Sequence, residues 1–195
     1  MPHAPGTNLL ITCHPSPASL CGAIATLVAE TLAARGTPAV ITDLNQVDFS
    51  PVLSRQELAD YFSAPVPGDV AGLAADLQAA EHLIFVVPVW TYGLPALLKG
   101  YFDRVWRPGV SFVLDDGQVR PLLHGIGHLT VVATHGASEA EVDRTGDGTR
   151  LFFATSLPSI LPALRTNTRF DIYGLDAPDR SAIAARIERI RRHFA

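Results

Sequence analysis

Three short stretches of the chain hold the residues best suited to chemistry or ligand binding. The first is the turn His14-Pro15-Ser16-Pro17-Ala18-Ser19 with Leu20 and Cys21 behind it. It places an imidazole and two hydroxyls directly before a helical pattern with Leu20, Ile24, Leu27, Val28 and Leu32 on one face. Unpaired amides and the dipole at such a helix start attract anions, phosphate above all. Ser19 reads equally well as an N-cap.

The second stretch, Val86 to Trp106, is the one the rest of the chain is arranged around. Leu83-Ile84-Phe85-Val86-Val87 is an unbroken apolar run, as in a strand buried on both faces. Pro88 has no N–H for a ladder, so the strand is expected to stop there. From Leu94, apolar residues recur at 97, 98, 101, 102 and 105, with Pro95 in the first turn of a helix. Val89-Trp90-Thr91-Tyr92-Gly93 lies between strand and helix and puts two large aromatics where core packing does not call for them. We read Trp90 and Tyr92 as the wall of a flat aromatic ligand.

Thr134-His135-Gly136 is the third stretch. It ends the apolar run Leu129 to Ala133 and offers amide and side-chain donors to ring oxygens and nitrogens. Neither G-x-G-x-x-G, G-x-x-x-x-G-K-[ST] nor G-x-S-x-G occurs at these positions. A phosphate held without the first two fits a flavin better than a nicotinamide or ATP as the tightly bound ligand. Asp43 and Asp115-Asp116 do not form an acidic cluster in the sequence, so no metal is expected.

The elements that position these loops read in order. Strands are expected at Asn8 to Cys13, Ala39 to Asp43, Leu83 to Val87, Leu129 to Ala133 and Arg169 to Tyr173. Helices are expected from Leu20 to near Gly36, at Val70 to Ala80, from Leu94, at Leu151 to Leu164 despite Pro158, and at Asp179 to Phe194. A helix turn fits Arg55 to Phe62. Val110 to Leu114 and Gln118 to Arg120 flank Asp116-Gly117, a hairpin signal. Ser138 to Thr149 reads as a polar, mobile loop. Strands alternating with helices define an α/β doubly wound parallel sheet, and the order 2-1-3-4-5 sets its switch point where the His14 and Trp90 loops meet.

With 195 residues the chain suits a single domain, residues 1–195. Its composition, 48% hydrophobic and 17% charged, is that of a globular protein. A net charge of −4 without a basic stripe argues against a nucleic-acid partner. Cys13 and Cys21, the two cysteines, read as reduced thiols. No apolar run reaches a membrane span and Met1 to Thr7 is no signal peptide, so a cytoplasmic protein is expected. The five arginines of the last helix read as a solvated basic end.

The spacing His14-x-x-x-x-Ser19, together with the block Val87-Pro88-Val89-Trp90-Thr91-Tyr92-Gly93-Leu94-Pro95-Ala96-Leu97-Leu98-Lys99-Gly100-Tyr101-Phe102-Asp103-Arg104-Val105, resembles the NAD(P)H:quinone oxidoreductase family. The resemblance implies a flavodoxin-like fold, a homodimer and tightly bound FAD or FMN. It implies hydride transfer from NAD(P)H to flavin, then to a quinone or similar acceptor, by a ping-pong route. By position, His14, Ser16, Ser19, Leu20 and Cys21 would hold the flavin phosphate. Pro88, Val89, Trp90, Thr91 and Tyr92 would line the ring, and Thr134, His135 and Gly136 would reach its edge. Family members carry Thr-Thr-Gly-Gly followed by a Tyr and a His. This chain has Thr134-His135-Gly136-Ala137, and Ser138 to Asp147 contains neither. No residue is assigned a catalytic role. The resemblance also implies a second function, a flavin-binding regulatory subunit of an ion-efflux system, as some members of that family are, and a third is a flavodoxin-type electron carrier. The modest charge and the extra hairpin count against the carrier.

Overall fold

The computed structural model describes residues 6–63, 65–176 and 181–195. Its central sheet has five parallel strands in the order β2-β1-β3-β6-β7. They are β1 (Thr7–Thr12), β2 (Ala39–Asp43), β3 (Ala80–Val89), β6 (His128–His135) and β7 (Thr166–Ile172). The helices are α1 (Leu20–Ala34), α2 (Arg55–Ala59), α3 (Gly68–Ala79), α4 (Ala96–Val105), α5 (Glu139–Thr145), α6 (Gly148–Leu151) and α7 (Ser181–Phe194). Among the described strands this is the expected order 2-1-3-4-5, with the hairpin strands β4 (Phe112–Asp115) and β5 (Gln118–Pro121) outside the main sheet.

Helices cover both faces. Leu73 and Leu77 of α3 and Leu98, Tyr101 and Val105 of α4 pack on one face, against Phe85 and Val131. Ile24, Val28 and Leu32 of α1 pack on the other, with Ile190 and Phe194 of α7, against Ile84 and Val132. Residues 83–87 are fully buried, because β3 has a strand on each side and a helix layer above and below. Arg104 locks α4 in place. Its Nε donates to Glu57 Oε2 (2.9 Å) and its NH1 to Asp69 Oδ2 (2.7 Å), joining α4 to α2 and α3.

Register brings the functional loops together. Thr12 lies opposite Val86, and Val89 lies opposite His135, so the chain leaves β1, β3 and β6 at one edge. The hairpin forms as expected, with Asp116 (φ 48°) and Gly117 (φ 75°) as its two turn residues.

Several expectations are corrected. β3 continues through Pro88 to Val89. The β1 ladder ends opposite Val86, so β3 is paired on one side only at Pro88, where a missing donor is tolerated. Ser138 to Thr149 is not an irregular loop: it contains α5 and the start of α6. Ser138 and Glu141 form a capping box, the Ser138 side chain accepting from the Glu141 amide and the Glu141 carboxylate accepting from the Ser138 amide. Leu151 to Leu164 is not one helix. It passes through a π-helical turn at Phe152–Ser156 and a 3₁₀ turn at Pro158–Ile160, because Pro158 cannot continue the preceding turn. Residues 1–5, the expected helix start at Asp179 and Arg180 of the arginine-rich end lie outside the described residues.

Candidate functional site

The three loops enclose a cleft of about 550 Å³ at the carboxyl ends of β1, β3 and β6. The cleft brings together His14, Ser19, Leu20, Cys21, residues 88–92, Thr134, His135 and Gly136, all of them expected site residues. Ser16 is the exception. It faces an adjoining groove with Thr12 and Asp43, its amide bonded to His14 Nδ1 at 3.1 Å.

At the phosphate-type end, Ser19 Oγ accepts from the Gly22 amide at 3.1 Å. The hydroxyl is therefore the N-cap of α1, and its own hydrogen remains free to donate toward the cleft. Gly22 has no room for a Cβ, which would strike the Pro17 carbonyl, so the turn is wrapped tightly over the helix start. The His14 ring meets Trp90 edge-on at 5.8 Å and joins the first loop to the second.

The aromatic loop is a two-residue turn. Trp90 and Gly93 exchange hydrogen bonds of 3.2 and 3.0 Å across it. Thr91 (φ 50°) and Tyr92 (φ 56°) both adopt the left-handed region, unusual for a β-branched and an aromatic residue. Trp90 remains 45% exposed and Tyr92 38%. The backbone here is strained, and it presents two half-exposed aromatics to the cleft where core packing does not use them.

Cys21 Sγ and Thr134 Oγ1 lie 3.0 Å apart, tying the α1 start to the end of β6. Burial pushes the Cys21 thiol up to about 11, against the pull of Thr134. Burial, with Cys21 and Asp43 nearby, pushes Cys13 to about 12. Both cysteines are free, and burial disfavours the thiolate that a nucleophile requires.

The His135 side chain, 2% exposed, turns toward β7, where its Nε2 lies 2.8 Å from Asp171 Oδ1. Burial would raise the Asp171 carboxyl, but hydrogen bonds from His135 and Arg169 outweigh it and hold the group well below the usual carboxylate range. His135, Asp147 and Asp171 place ligand-type atoms within 4.8 Å of one another, a grouping the sequence reading did not foresee. Arg169 occupies the middle of it and bonds both carboxylates, so the cluster already holds its cation.

The cleft also contains Ala137, Val142, Leu175 and Asp176, which the sequence reading missed. Val142 lies on α5, and the Ser138-x-x-Glu141 capping pattern was the signal that could have found it. Asp176 folds over Gly136, where any Cβ would strike its carboxylate. No sequence signal marks Leu175 or Asp176.

The fold defines an open α/β protein with its cleft at the switch point of the sheet. A family model described as flavodoxin-like fold matches residues 7–194, and the chain belongs to that family. A Haemophilus influenzae protein named as an uncharacterised NAD(P)H oxidoreductase is 32% identical over 117 residues, 60% of this chain and 58% of that protein. An FMN-dependent NADH:quinone oxidoreductase of Bordetella bronchiseptica is 38% identical over 74 residues, 37% of this chain and 35% of its own length. The matches thus span less than two thirds of these curated relatives. The solved structure of an NAD(P)H:quinone oxidoreductase from Methanothermobacter marburgensis superimposes with a TM-score of 0.79 at 25% identity, covering 98% of this chain and 95% of that one.

Proposed function

We propose that the protein is a flavin-dependent NAD(P)H oxidoreductase that delivers a hydride to a quinone or a similar acceptor. The observation that carries this reading is the convergence of the His14–Cys21, Pro88–Tyr92 and Thr134–Gly136 loops on one cleft. The names of the relatives support it, and one of them is FMN-dependent. The donor set fits the group: a free hydroxyl hydrogen and the α1 start suit phosphate, and exposed aromatics beside a strained turn suit a flat ring.

Bound there, the flavin would supply the hydride chemistry. The chain's residues bind, orient and exclude water. Ser19 and the first amides of α1 would hold the phosphate of FMN or FAD. Trp90 and Tyr92 would border the ring, and the Thr134–Gly136 segment would meet its edge.

The protein is also read as a homodimer whose second chain completes the cleft. Exposed apolar side chains at Val52, Leu58 and Phe62, about α2, support a partner surface. Among the described residues no helix is long and apolar enough to cross a membrane.

The test is reconstitution. The apo protein, titrated separately with FMN and FAD, should take up one flavin per chain and turn yellow. The bound flavin should bleach on mixing with NADPH or NADH and recover on adding a quinone. Uptake of neither flavin would overturn the reading, and uptake without bleaching would overturn the enzymatic part of it. Sedimentation of the loaded protein at micromolar concentration should give a dimer.

A further inference from the structure

Behind the cleft lies a buried polar network centred on Arg169 of β7. Its Nε donates to both Asp171 oxygens at 3.0 Å, and its NH2 donates to Asp171 Oδ1 at 2.8 Å. The same NH2 reaches Asp147 Oδ2 at 2.9 Å and Thr149 Oγ1 at 3.0 Å. The Asp147 side chain is fully buried, and that of Arg169 is 16% exposed.

Two arms leave this centre. Through Asp171 it holds His135, at the end of β6 on the ring-edge wall of the cleft. Through Asp147 it holds the α6 start, because Asp147 Oδ1 accepts from the Thr149 amide (2.8 Å) and hydroxyl (2.7 Å). Between Asp147 and Thr149, the Gly148 amide donates to the Tyr92 carbonyl at 2.9 Å. One guanidinium therefore connects the Thr134–Gly136 wall to the strained turn that carries Trp90 and Tyr92.

We propose that Arg169 is a positioning residue of the cleft, fixing the aromatic turn and the ring-edge wall at one separation. Thr91 and Tyr92 occupy backbone states that persist only where the surroundings over-determine them, and the Gly148 hydrogen bond is such a constraint. A planar fork that bonds two carboxylates and a hydroxyl at once is a task for arginine. A lysine keeps the charge but cannot bridge all three. The proposal rests on the flavin reading only for what the cleft holds; the mechanical link is a property of the chain alone.

The experiment compares wild type with Arg169→Lys, and with Arg169→Met where that variant folds, by hydrogen exchange of the apo protein and by flavin titration. In Arg169→Lys the Gly93 and Gly148 amides should exchange about tenfold faster while those of β1 and α4 keep their protection. In flavin affinity, Arg169→Lys should be non-additive with Trp90→Ala, because a misplaced turn has already lost the ring contact, and additive with Ser19→Ala. Uniform loss of protection across the fold, or additivity with Trp90→Ala, would overturn the positioning role and leave Arg169 an ordinary buried ion pair. A wild-type protein that binds no flavin would remove the cofactor reading, and the exchange comparison would still decide the link.

Discussion

Ser19 caps α1 with its hydroxyl oxygen, and in the proposed function its hydrogen serves the ligand. The oxygen is engaged by the Gly22 amide, and the hydrogen is available to a phosphate. Ser19→Ala should therefore lower apo stability by about 1 kcal/mol, the usual loss of an N-cap. It should also weaken flavin binding by about 1.5–3 kcal/mol, the range for a charge-assisted hydrogen bond. Apo melting and flavin titration separate the two losses. A stability change with unchanged affinity would reduce Ser19 to a cap. Thr91 makes the opposite case. Its φ of 50° suits glycine, so Thr91→Gly should relieve roughly 1 kcal/mol of strain, partly offset by glycine's greater freedom in the unfolded chain. Melting of the apo variant checks this, and a clear loss of stability would show that the Thr91 side chain matters more than its backbone.

At the scale of elements, the site depends on how helices are started and tied down. The α5 start, with Val142 on the cleft, rests on the Ser138–Glu141 capping box. Ser138→Ala should fray α5 by about 1 kcal/mol, read as faster amide exchange confined to residues 139–145. The helix that follows the aromatic loop, α4, is anchored by Arg104 to Glu57 and Asp69. The Arg104 side chain is 5% exposed, and Arg104→Met would leave the largely buried Glu57 carboxylate without its close hydrogen-bonded partner, with only Arg107 Nη1 at 3.7 Å beside it. The loss should be about 3 kcal/mol by urea denaturation, the low end for removing one partner of a buried pair, because Arg107 still neutralises Glu57. A loss under 1 kcal/mol would mean that Arg107 alone suffices to hold Glu57.

For the whole molecule, acid sensitivity between about pH 6.5 and 4 should arise far from the cleft, at the amino ends of β3 and β6. There His82 Nε2 lies 2.9 Å from Thr130 Oγ1, which is also 3.2 Å from His193 Nε2 of α7. Burial, with His128, His193 and Arg35 close by, lowers the His82 pKa to about 4. Burial and Arg35 lower that of His193 as well. Because the folded values lie below the unfolded one near 6.5, the unfolded chain takes up these protons first as pH falls. The stabilising contribution of His82 is complete above pH 6.5 and drains away toward pH 4, by up to about 3 kcal/mol, and His193 adds in the same direction. The melting temperature should fall over that window in wild type and fall less in His82→Leu, compared between pH 7.5 and 4.5. Equal slopes would remove His82 as the source.

By itself the sequence determined the strands, their order and the three loops that meet. Apolar runs such as Leu83 to Val87 have only one low-energy destination, the middle of a covered sheet, and the handedness of βαβ units then fixes which loops share an edge. Trp90 and Tyr92 stood out for the converse reason, as large apolar groups with no core to fill. The α5 capping box was present in the sequence and outweighed by the polarity of its neighbours. The Arg169 network was not legible, since His135, Asp147 and the Arg169/Asp171 pair are separated along the chain and each reads as an ordinary polar residue. Only the tertiary structure decided it: the parallel register sets Asp171 opposite Ala133, two residues before His135, and the α5–α6 turn delivers Asp147 to the same buried space. In that space every charge needs a partner, and the partners follow from where the backbones lie.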